Sequence, residues 1–330
     1  MMQLTIIVPD GENNISSITG AYEIFTKANL YWKQNTGVEL FTIKLAGISE
    51  KVDFTGGLFS VRPHTNITRI FKSDLIIIPS LSHNYDEAVK GNEALIDWLR
   101  HQYRAGAEIA SICTGTFLLA ASGLLDGRVC STHWSVAENF RLMFPKVNLQ
   151  TDRLITDDSG IYTNGGAYSF LNLMLYLIEK YYDRSTAIYC SKVFQIEIDR
   201  STQSAFSIFT GQKKHDDDIV HKAQLYIEST INDRISTEDL ATRFNVGRRN
   251  FDRRFIKATG NTPIEYSQRV KIEAAKKAFE TNRKNISEVM FEVGYSDVKA
   301  FREVFRKYTG FSPAEYKERY NKVNLIGSTS

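Results

Sequence analysis

The sequence predicts two domains: an α/β domain built on a doubly wound parallel sheet, followed by an all-α domain. In the first 210 residues, short β-branched and aliphatic runs alternate with helical stretches, as expected for strands covered on both faces. After residue 218 the strand signal disappears, and helical periodicity is interrupted at intervals by glycine. The chain has 330 residues, of which 42% are hydrophobic, and is therefore long and apolar enough for two cores.

Four short apolar runs predict the strands of the sheet, at residues 4–9, 41–45, 74–79 and 108–112. Between them, residues 18–30 and 92–103 carry apolar side chains at helical spacing. In an open sheet of this type, ligands bind at the carboxyl ends of the strands. We therefore expect any ligand site at that edge.

Residues 211–217 are polar and have no apolar period, which predicts a linker between the domains. The predicted order is an α/β domain over residues 1–210, the linker 211–217, a helical domain over 218–322 and a tail over 323–330. Lys and Arg number 23 against 17 Asp and Glu after residue 210, a net +6, and 18 against 21 before it, a net −3. The basic half indicates a polyanionic partner, although charge alone does not distinguish this from an ordinary solvated surface.

Composition also excludes several classes of protein. No apolar run approaches the roughly 18–20 residues that span a bilayer, and the amino terminus lacks a basic segment and a cleavage site, so we expect a cytoplasmic protein with no membrane partner. The three cysteines, Cys113, Cys130 and Cys190, are odd in number and widely spaced. This argues against a disulfide framework and against a zinc site, and we expect no metal and no cofactor.

The helical region contains an internal repeat with an offset of 50 residues. The pattern Phe251, Phe255, Gly260, Pro263, Tyr266 returns as Phe301, Phe305, Gly310, Pro313, Tyr316. Upstream the match continues with a slip of one residue. Each unit has the layout of a helix-turn-helix, in which a short amphipathic helix, a tight turn and a second helix follow one another.

Two phenylalanines at i and i+4 share one face of a helix, and so determine which residues the opposite face presents. In the first unit the opposite face holds Arg249, Asp252, Arg253 and Ile256, with Arg248 and Asn250 beside it near the start of the helix; in the second it holds Lys299, Arg302, Glu303 and Arg306. Basic side chains can donate to guanine, a carboxylate can accept from cytosine, and flanking cations neutralise phosphates. One such helix is usually a solvated surface, but two at a fixed offset favour binding of double-stranded DNA.

Residues 218–322 resemble the DNA-binding domain of AraC/XylS-type transcriptional regulators. The resemblance rests on residues 286–297, Ile-Ser-Glu-Val-Met-Phe-Glu-Val-Gly-Tyr-Ser-Asp, on the phenylalanines of the second unit, and on residues 310–316, Gly-Phe-Ser-Pro-Ala-Glu-Tyr. It implies that a long helix, here residues 263–279, joins two helix-turn-helix units. It also implies that both recognition helices enter successive major-groove segments of promoter DNA.

Residues 111–134 resemble PfpI-type members of the class I glutamine amidotransferase-like superfamily, in the branch fused to AraC-type domains. The matching segments are Ser-Ile-Cys-Thr-Gly at 111–115, residues 117–128, and Ser-Thr-His-Trp at 131–134. The resemblance implies a flavodoxin-like sheet, with Cys113 at the position of a nucleophile and His133 at that of its base. Two departures stand out: Ser17 aligns with the family acid, and Ser80 and Leu81 replace a glycine pair that approaches an oxyanion.

These departures predict a sensory pocket rather than an active site. We expect it to be formed by Ser17, Ser80, Cys113, Thr114, His133, Trp134, Asn164 and Gly165, with no catalytic residue. The indole of Trp134 would suit a cationic or aromatic effector. Residues 200–206 resemble a segment that closes this domain in the family.

The sequence therefore predicts a regulator that binds promoter DNA and a small-molecule effector. We expect a homodimer formed through the amino-terminal domain, and RNA polymerase is a further partner that such a protein would contact. The alternative is a cysteine hydrolase or glyoxalase-like enzyme fused to a DNA-binding domain. A third reading is a scaffold whose pocket stays empty.

Overall fold

The computed structural model of the chain describes residues 1–82, 84–198, 207–213, 215–281 and 284–321. By its internal contacts the chain divides into two units, Met1–Gln203 and Ser204–Ser330. The predicted closing segment 200–206 and the predicted tail 323–330 lie outside the described residues.

A seven-stranded sheet forms the centre of the first unit. Its strands are β1 (Met2–Val8), β2 (Phe41–Gly47), β5 (Thr65–Asn66), β6 (Leu75–Ile78), β7 (Glu108–Ile112), β10 (Ile155–Asp158) and β11 (Ile161–Asn164). They lie in the order β10-β11-β7-β6-β1-β2-β5, and all neighbouring pairs are parallel except β10 with β11. Two short pairs stand apart: β3 (Val52–Phe54) with β4 (Phe59–Val61), and β8 (Val129–Cys130) with β9 (Asn148–Leu149).

Helices cover both faces of this sheet. One core contains α1 (Ile15–Thr36), α6 (Phe170–Tyr181) and α7 (Arg184–Phe194); the other contains α2 (Tyr85–Gly91), α3 (Glu93–Arg104), α4 (Thr116–Ala121) and α5 (Ala137–Met143). Along β6 successive side chains alternate between the two cores, because Leu75 and Ile77 belong to the first and Ile76 and Ile78 to the second. The predicted doubly wound, flavodoxin-like architecture is thus confirmed.

Local capping sets the ends of α1, which is longer than the predicted 18–30. The side chain of Asn14 accepts a 3.1 Å hydrogen bond from the backbone N–H of Ser16, so the helix begins at Ile15. It continues to Thr36 and ends at Gly37, whose φ of 86° is readily adopted only by glycine.

Among its described residues, the second unit contains helices but no strand. Its helices are α8 (Asp218–Ser229), α9 (Thr237–Arg243), α10 (Arg248–Thr259), α11 (Pro263–Thr281), α12 (Ile286–Glu292), α13 (Val298–Thr309) and α14 (Pro313–Tyr320). The repeat seen in the sequence recurs as repeated packing. The rings of Phe255 and Tyr266 have centroids 5.5 Å apart at 80°, and those of Phe305 and Tyr316 have the same distance and angle.

The structure differs from the predicted linker at residues 211–217. Its described residues, 211–213 and 215–217, pack within the helical unit. The carbonyl of Gln212 accepts a 2.7 Å hydrogen bond from Gln224, and its side-chain oxygen accepts a 3.1 Å bond from Asn261. Arg254 donates two 2.8 Å hydrogen bonds to Asp217, which hold the pKa of that carboxyl group below its ordinary value.

The residues just before the predicted linker pack on the same helices. Phe209 meets the ring of Tyr266 edge-on at 5.2 Å, and its N–H donates a 3.1 Å hydrogen bond to Glu273. We refer to residues 207–213 and 215–217 together as the strap. The residues of the strap are polar and their partners lie far away in sequence, so local sequence pattern alone indicates a linker.

Three further features concern the described residues as a whole. None of their helices is long and apolar enough to cross a membrane. No group of three or more His, Cys, Asp and Glu side chains among them is placed to hold a metal ion. The three cysteines are unbridged and buried.

Replacing Phe255 with alanine should lower the free energy of unfolding by about 3–5 kcal/mol, because its ring is completely buried between α10 and α11. The matched control is Ile256→Ala at the next position, where 44% of the side chain is exposed and the expected loss is within about 0.5 kcal/mol. Urea unfolding of both variants measures the difference. Equal losses would contradict the packing described.

Candidate functional site

Cys113 occupies a sharp elbow between β7 and α4. Its φ is 52°, a left-handed conformation that a residue with a side chain rarely adopts. Three hydrogen bonds hold its backbone there. Its N–H donates to Oδ1 of Asn164 at 3.1 Å, and its carbonyl accepts from the hydroxyls of Thr116 at 2.8 Å and Thr132 at 3.0 Å.

The elbow also packs closely against the end of β6. A Cβ on Gly115 would lie 2.4 Å from the carbonyl oxygen of Pro79, so only glycine fits there. The carboxyl ends of β6 and β7 are therefore held at backbone contact. This is the edge of the sheet at which the sequence predicted a site.

A chain of hydroxyl groups lines this edge. The hydroxyl of Ser17 donates to the carbonyl of Asn14 at 2.7 Å and accepts from the backbone N–H of Ser80 at 3.0 Å. Ser80 Oγ lies 2.8 Å from Thr114 Oγ1, and Thr114 donates to the carbonyl of Leu81 at 2.6 Å.

Burial disfavours the thiolate form of Cys113. Burial raises the pKa of Cys113, and hydrogen bonds from Ser80 and Thr114 oppose this rise without cancelling it. A reactive cysteine needs the opposite shift. The backbone N–H of Ser80 is already engaged, because it donates to the hydroxyl of Ser17.

His133 and Trp134 lie beyond the short strand β8 and are half-buried. Nδ1 of His133 accepts hydrogen bonds from the backbone N–H of Ser135 at 3.2 Å, and it lies 2.7 Å from the Ser135 hydroxyl. Burial lowers the pKa of His133, which favours the neutral ring. Among the described residues, no hydrogen bond joins this imidazole to the thiol of Cys113.

The structure thus brings part of the predicted pocket together. Hydrogen bonds link Ser17, Ser80 and Thr114, and another links the backbone of Cys113 to Asn164. The amide of Asn164 donates to the carbonyl of the adjacent Gly165 at 2.9 Å. His133 and Trp134 stand with ring centroids 5.3 Å apart. That all eight residues contact one ligand remains a prediction.

The sequence did not single out two further residues at this edge. Tyr85 stacks on Phe117 at 4.1 Å, and its pKa is raised by burial and by the nearby Cys113. Asn13 is 5% exposed, and its Oδ1 has no hydrogen-bond partner among the described residues. A buried acceptor of this kind is normally satisfied, so Asn13 is suited to a ligand donor. Neither residue belongs to a motif, and only long-range packing reveals them.

The predicted DNA-contacting residues lie on the outer faces of α10 and α13. Eight of the nine are exposed and Asp252 is half-buried; the exposed ones are Arg248, Arg249, Asn250, Arg253, Lys299, Arg302, Glu303 and Arg306. The opposite faces hold the phenylalanine pairs, all 0% exposed. Arg253 donates to Oδ1 of Asn250 at 3.3 Å along the same helix. Their contact with DNA remains a prediction.

Capping defines both helix-turn-helix units in the same way. Ser236 and Asp239 form a capping box at the start of α9, and Asn285 and Glu288 form one at the start of α12. In the turns, Asn245 has a φ of 51° and Gly294 has a φ of 73°. Their positions are offset by one residue less than the 50 of the main repeat, which is the slip detected in the sequence.

A buried lysine contacts the turn of the second helix-turn-helix unit. Lys271 on α11 is 7% exposed and donates to the carbonyl of Asp233 at 2.9 Å. Its ammonium lies 5.6 Å from the ring centroid of Tyr295, and a Cβ on Gly294 would lie 2.7 Å from it. Burial lowers the pKa of Lys271. The turn of the second helix-turn-helix unit is thus anchored to α11, the helix that joins the two units.

Comparison with known families matches both units. Residues 15–180 match the DJ-1/PfpI family, and residues 240–319 match a helix-turn-helix domain. Three similar curated proteins are HTH-type transcriptional regulators. GbdR of Pseudomonas aeruginosa is 28% identical over 229 residues, which cover 68% of this chain and 61% of GbdR. The chain therefore spans about three fifths of that relative's length.

The other two relatives are similarly distant. ArgR of Pseudomonas aeruginosa is 26% identical over 218 residues, 66% of each protein. GlxA of Rhizobium meliloti is 25% identical over 225 residues, which cover 67% of this chain and 68% of GlxA.

Solved structures resemble the first unit. A Vibrio parahaemolyticus protein, crystallised as a candidate transcriptional regulator, is 26% identical with a TM-score of 0.53, covering 58% of this chain and 98% of its own. Drosophila melanogaster DJ-1beta has a TM-score of 0.50 at 17% identity, covering 59% of this chain and 98% of its own, and shares the fold. From its family match and its architecture, the chain belongs to the DJ-1/PfpI family and carries, after that domain, an AraC-type helix-turn-helix domain.

Proposed function

We propose that the protein is a transcriptional regulator that binds promoter DNA through α9–α10 and α12–α13 and responds to a small molecule bound by its α/β domain. One observation carries the proposal: α10 and α13 bury equivalent phenylalanine pairs and turn charged, mainly basic faces to solvent. The names of the curated relatives, all HTH-type transcriptional regulators, support it.

The chemistry of these faces suits a duplex. Arginine and lysine can donate to guanine in the major groove or neutralise phosphates. Arg248 and Arg306 keep 62% and 67% of their side chains exposed although each forms an ion pair, with Glu238 and Glu315 respectively. Exposed pairs of this type contribute about 0–1 kcal/mol, so a phosphate can replace the carboxylate at little cost.

The α/β domain would act as the sensor. Half-buried aromatic side chains, Tyr85, His133 and Trp134, would contact the effector above a floor of buried hydroxyl and amide groups. Effector binding regulates only if it favours the DNA-binding state over the other, because equal affinity for both states shifts nothing.

We infer that the domain is not an enzyme. Serine stands at the family acid position, the Ser80 N–H is occupied, and the Cys113 pKa is raised. The alternative, a cysteine hydrolase or glyoxalase-like enzyme fused to a DNA-binding domain, requires a reactive thiol at Cys113. An empty scaffold would bind no metabolite.

The remaining expectations concern the location, the oligomeric state and the protein partners of the chain. A DNA-binding regulator of this type would act in the cytoplasm as a homodimer formed through the α/β domain, and would contact RNA polymerase. Leu30 on α1 and Val193 on α7 are 48% and 44% exposed, and the two helices pack together, which supports these helices as candidates for the dimer surface.

Arg253→Ala and Arg302→Ala should each weaken promoter binding roughly tenfold, because each removes a base or phosphate contact. Fluorescence anisotropy with labelled promoter fragments at several salt concentrations measures the effect. Lys222→Ala is the control, since Lys222 is exposed on α8 outside both recognition helices. Binding that ignores salt and sequence, or equal losses in all three variants, would refute the proposal.

Cys113 should react slowly with iodoacetamide at pH 7.5, because its raised pKa leaves little thiolate. A Cys130→Ser, Cys190→Ser variant isolates its signal. The alkylation rate should rise only as the pH passes the pKa of an ordinary thiol, about 8.5. The rate should become fast in urea. Rapid alkylation near pH 6 would instead favour the enzyme.

A metabolite library should contain compounds that raise the melting temperature of the protein, because an effector binds the native state. Trp134→Ala should abolish the shift. Phe71→Ala is the aromatic control, since Phe71 is 98% exposed and precedes β6, at the opposite edge of the sheet. A library without hits would support the empty scaffold.

A further inference from the structure

The two recognition helices present different chemical groups at equivalent positions. The equivalence is structural as well as sequential, because both helices bury their phenylalanine pairs completely and both end at a glycine with left-handed φ. At an offset of 50 residues, the outward positions pair as Arg249 with Lys299, Asp252 with Arg302, Arg253 with Glu303, and Ile256 with Arg306.

Acid and base are exchanged at two adjacent positions. The first helix carries Asp252 and then Arg253, whereas the second carries Arg302 and then Glu303. A guanidinium donates to O6 and N7 of guanine, and a carboxylate accepts from N4 of cytosine. Two helices docked alike therefore favour different base pairs at both positions.

Arg253 also has a side-chain partner on its own helix. Arg253 donates to Asn250 three residues earlier at 3.3 Å. The residue equivalent to Asn250 in the second helix is Ala300, which has no side-chain hydrogen-bond acceptor. The two helices thus differ in geometry as well as in charge.

Ile256 adds an apolar group to the outer face of α10. It is 44% exposed, although the buried core of this unit lies directly beside it at Phe255. Its counterpart is Arg306, whose side chain is 67% exposed. An exposed branched alkyl group on a recognition helix can make an apolar contact with the 5-methyl group of thymine. A charged side chain offers no such contact.

We propose that Ile256 selects a thymine through its 5-methyl group in the DNA segment bound by α10, and that Glu303 selects a cytosine in the segment bound by α13. The inference rests on the proposed function, since it specifies how that function is exercised. Ile256 becomes a specificity-determining residue that charge counting alone would pass over.

The test begins by selecting duplexes from a randomised pool with the full-length protein. The enriched sequence should contain two segments for each protomer. Repeating the selection with Ile256→Ala should relax one thymine position in one segment. Selection with Glu303→Ala should relax one cytosine position in the other, and Lys222→Ala should leave the sequence unchanged.

Anisotropy on the selected duplex then isolates the methyl contact. Replacing the assigned thymine with uracil should weaken binding by wild type about fourfold, as expected for one buried methyl group. The same replacement should not affect Ile256→Ala, which retains the fold if its stability matches wild type in urea. Equal effects on both proteins, or none at any thymine, would overturn the role of Ile256.

The outcomes separate the inference from the function beneath it. Enrichment of a sequence that neither Ile256→Ala nor Glu303→Ala changes would overturn the inference but leave the regulator in place. Enrichment of no sequence at all would overturn both.

Discussion

Burial of two aromatic pairs fixes the orientation of everything on the surface of the helical domain. Phe251 and Phe255 on α10, like Phe301 and Phe305 on α13, are fully removed from solvent. Rotating either helix by one residue, about 100°, would expose both rings and cost about 3–6 kcal/mol. An exposed ion pair such as Arg248 with Glu238 contributes at most about 1 kcal/mol. The core, and not the charges, therefore decides which side chains face outward.

The α/β domain shows the same dominance of backbone constraint over side-chain chemistry. The strained elbow at Cys113 persists because three hydrogen bonds hold its N–H and carbonyl, and because Gly115 permits contact with Pro79. None of these contacts requires a reactive thiol. The backbone of the elbow is thus maintained whatever the chemistry of the side chain that it carries.

Local patterns in the sequence predicted the main features of both domains. Apolar runs located β1, β2, β6 and β7 to within a few residues, and the 50-residue offset predicted the paired aromatic packing. The features that local sequence patterns did not predict depend on partners distant along the chain. The strap reads as a linker because the partner of Asp217 is Arg254, 37 residues away. Tyr85 and Asn13 gain their roles only when the loops after β1 and β6 meet.

The strap has a practical consequence for how the two domains can be separated. A chain truncated to begin at Asp218, where composition changes, would strip Tyr266 of its ring contact with Phe209, Glu273 of an N–H donor and Arg254 of its carboxylate. One beginning at Ser207 would keep all three. Any chimaera that exchanges one sensor for another should therefore carry residues 207–217 along with the helices, as part of the module rather than as its tether.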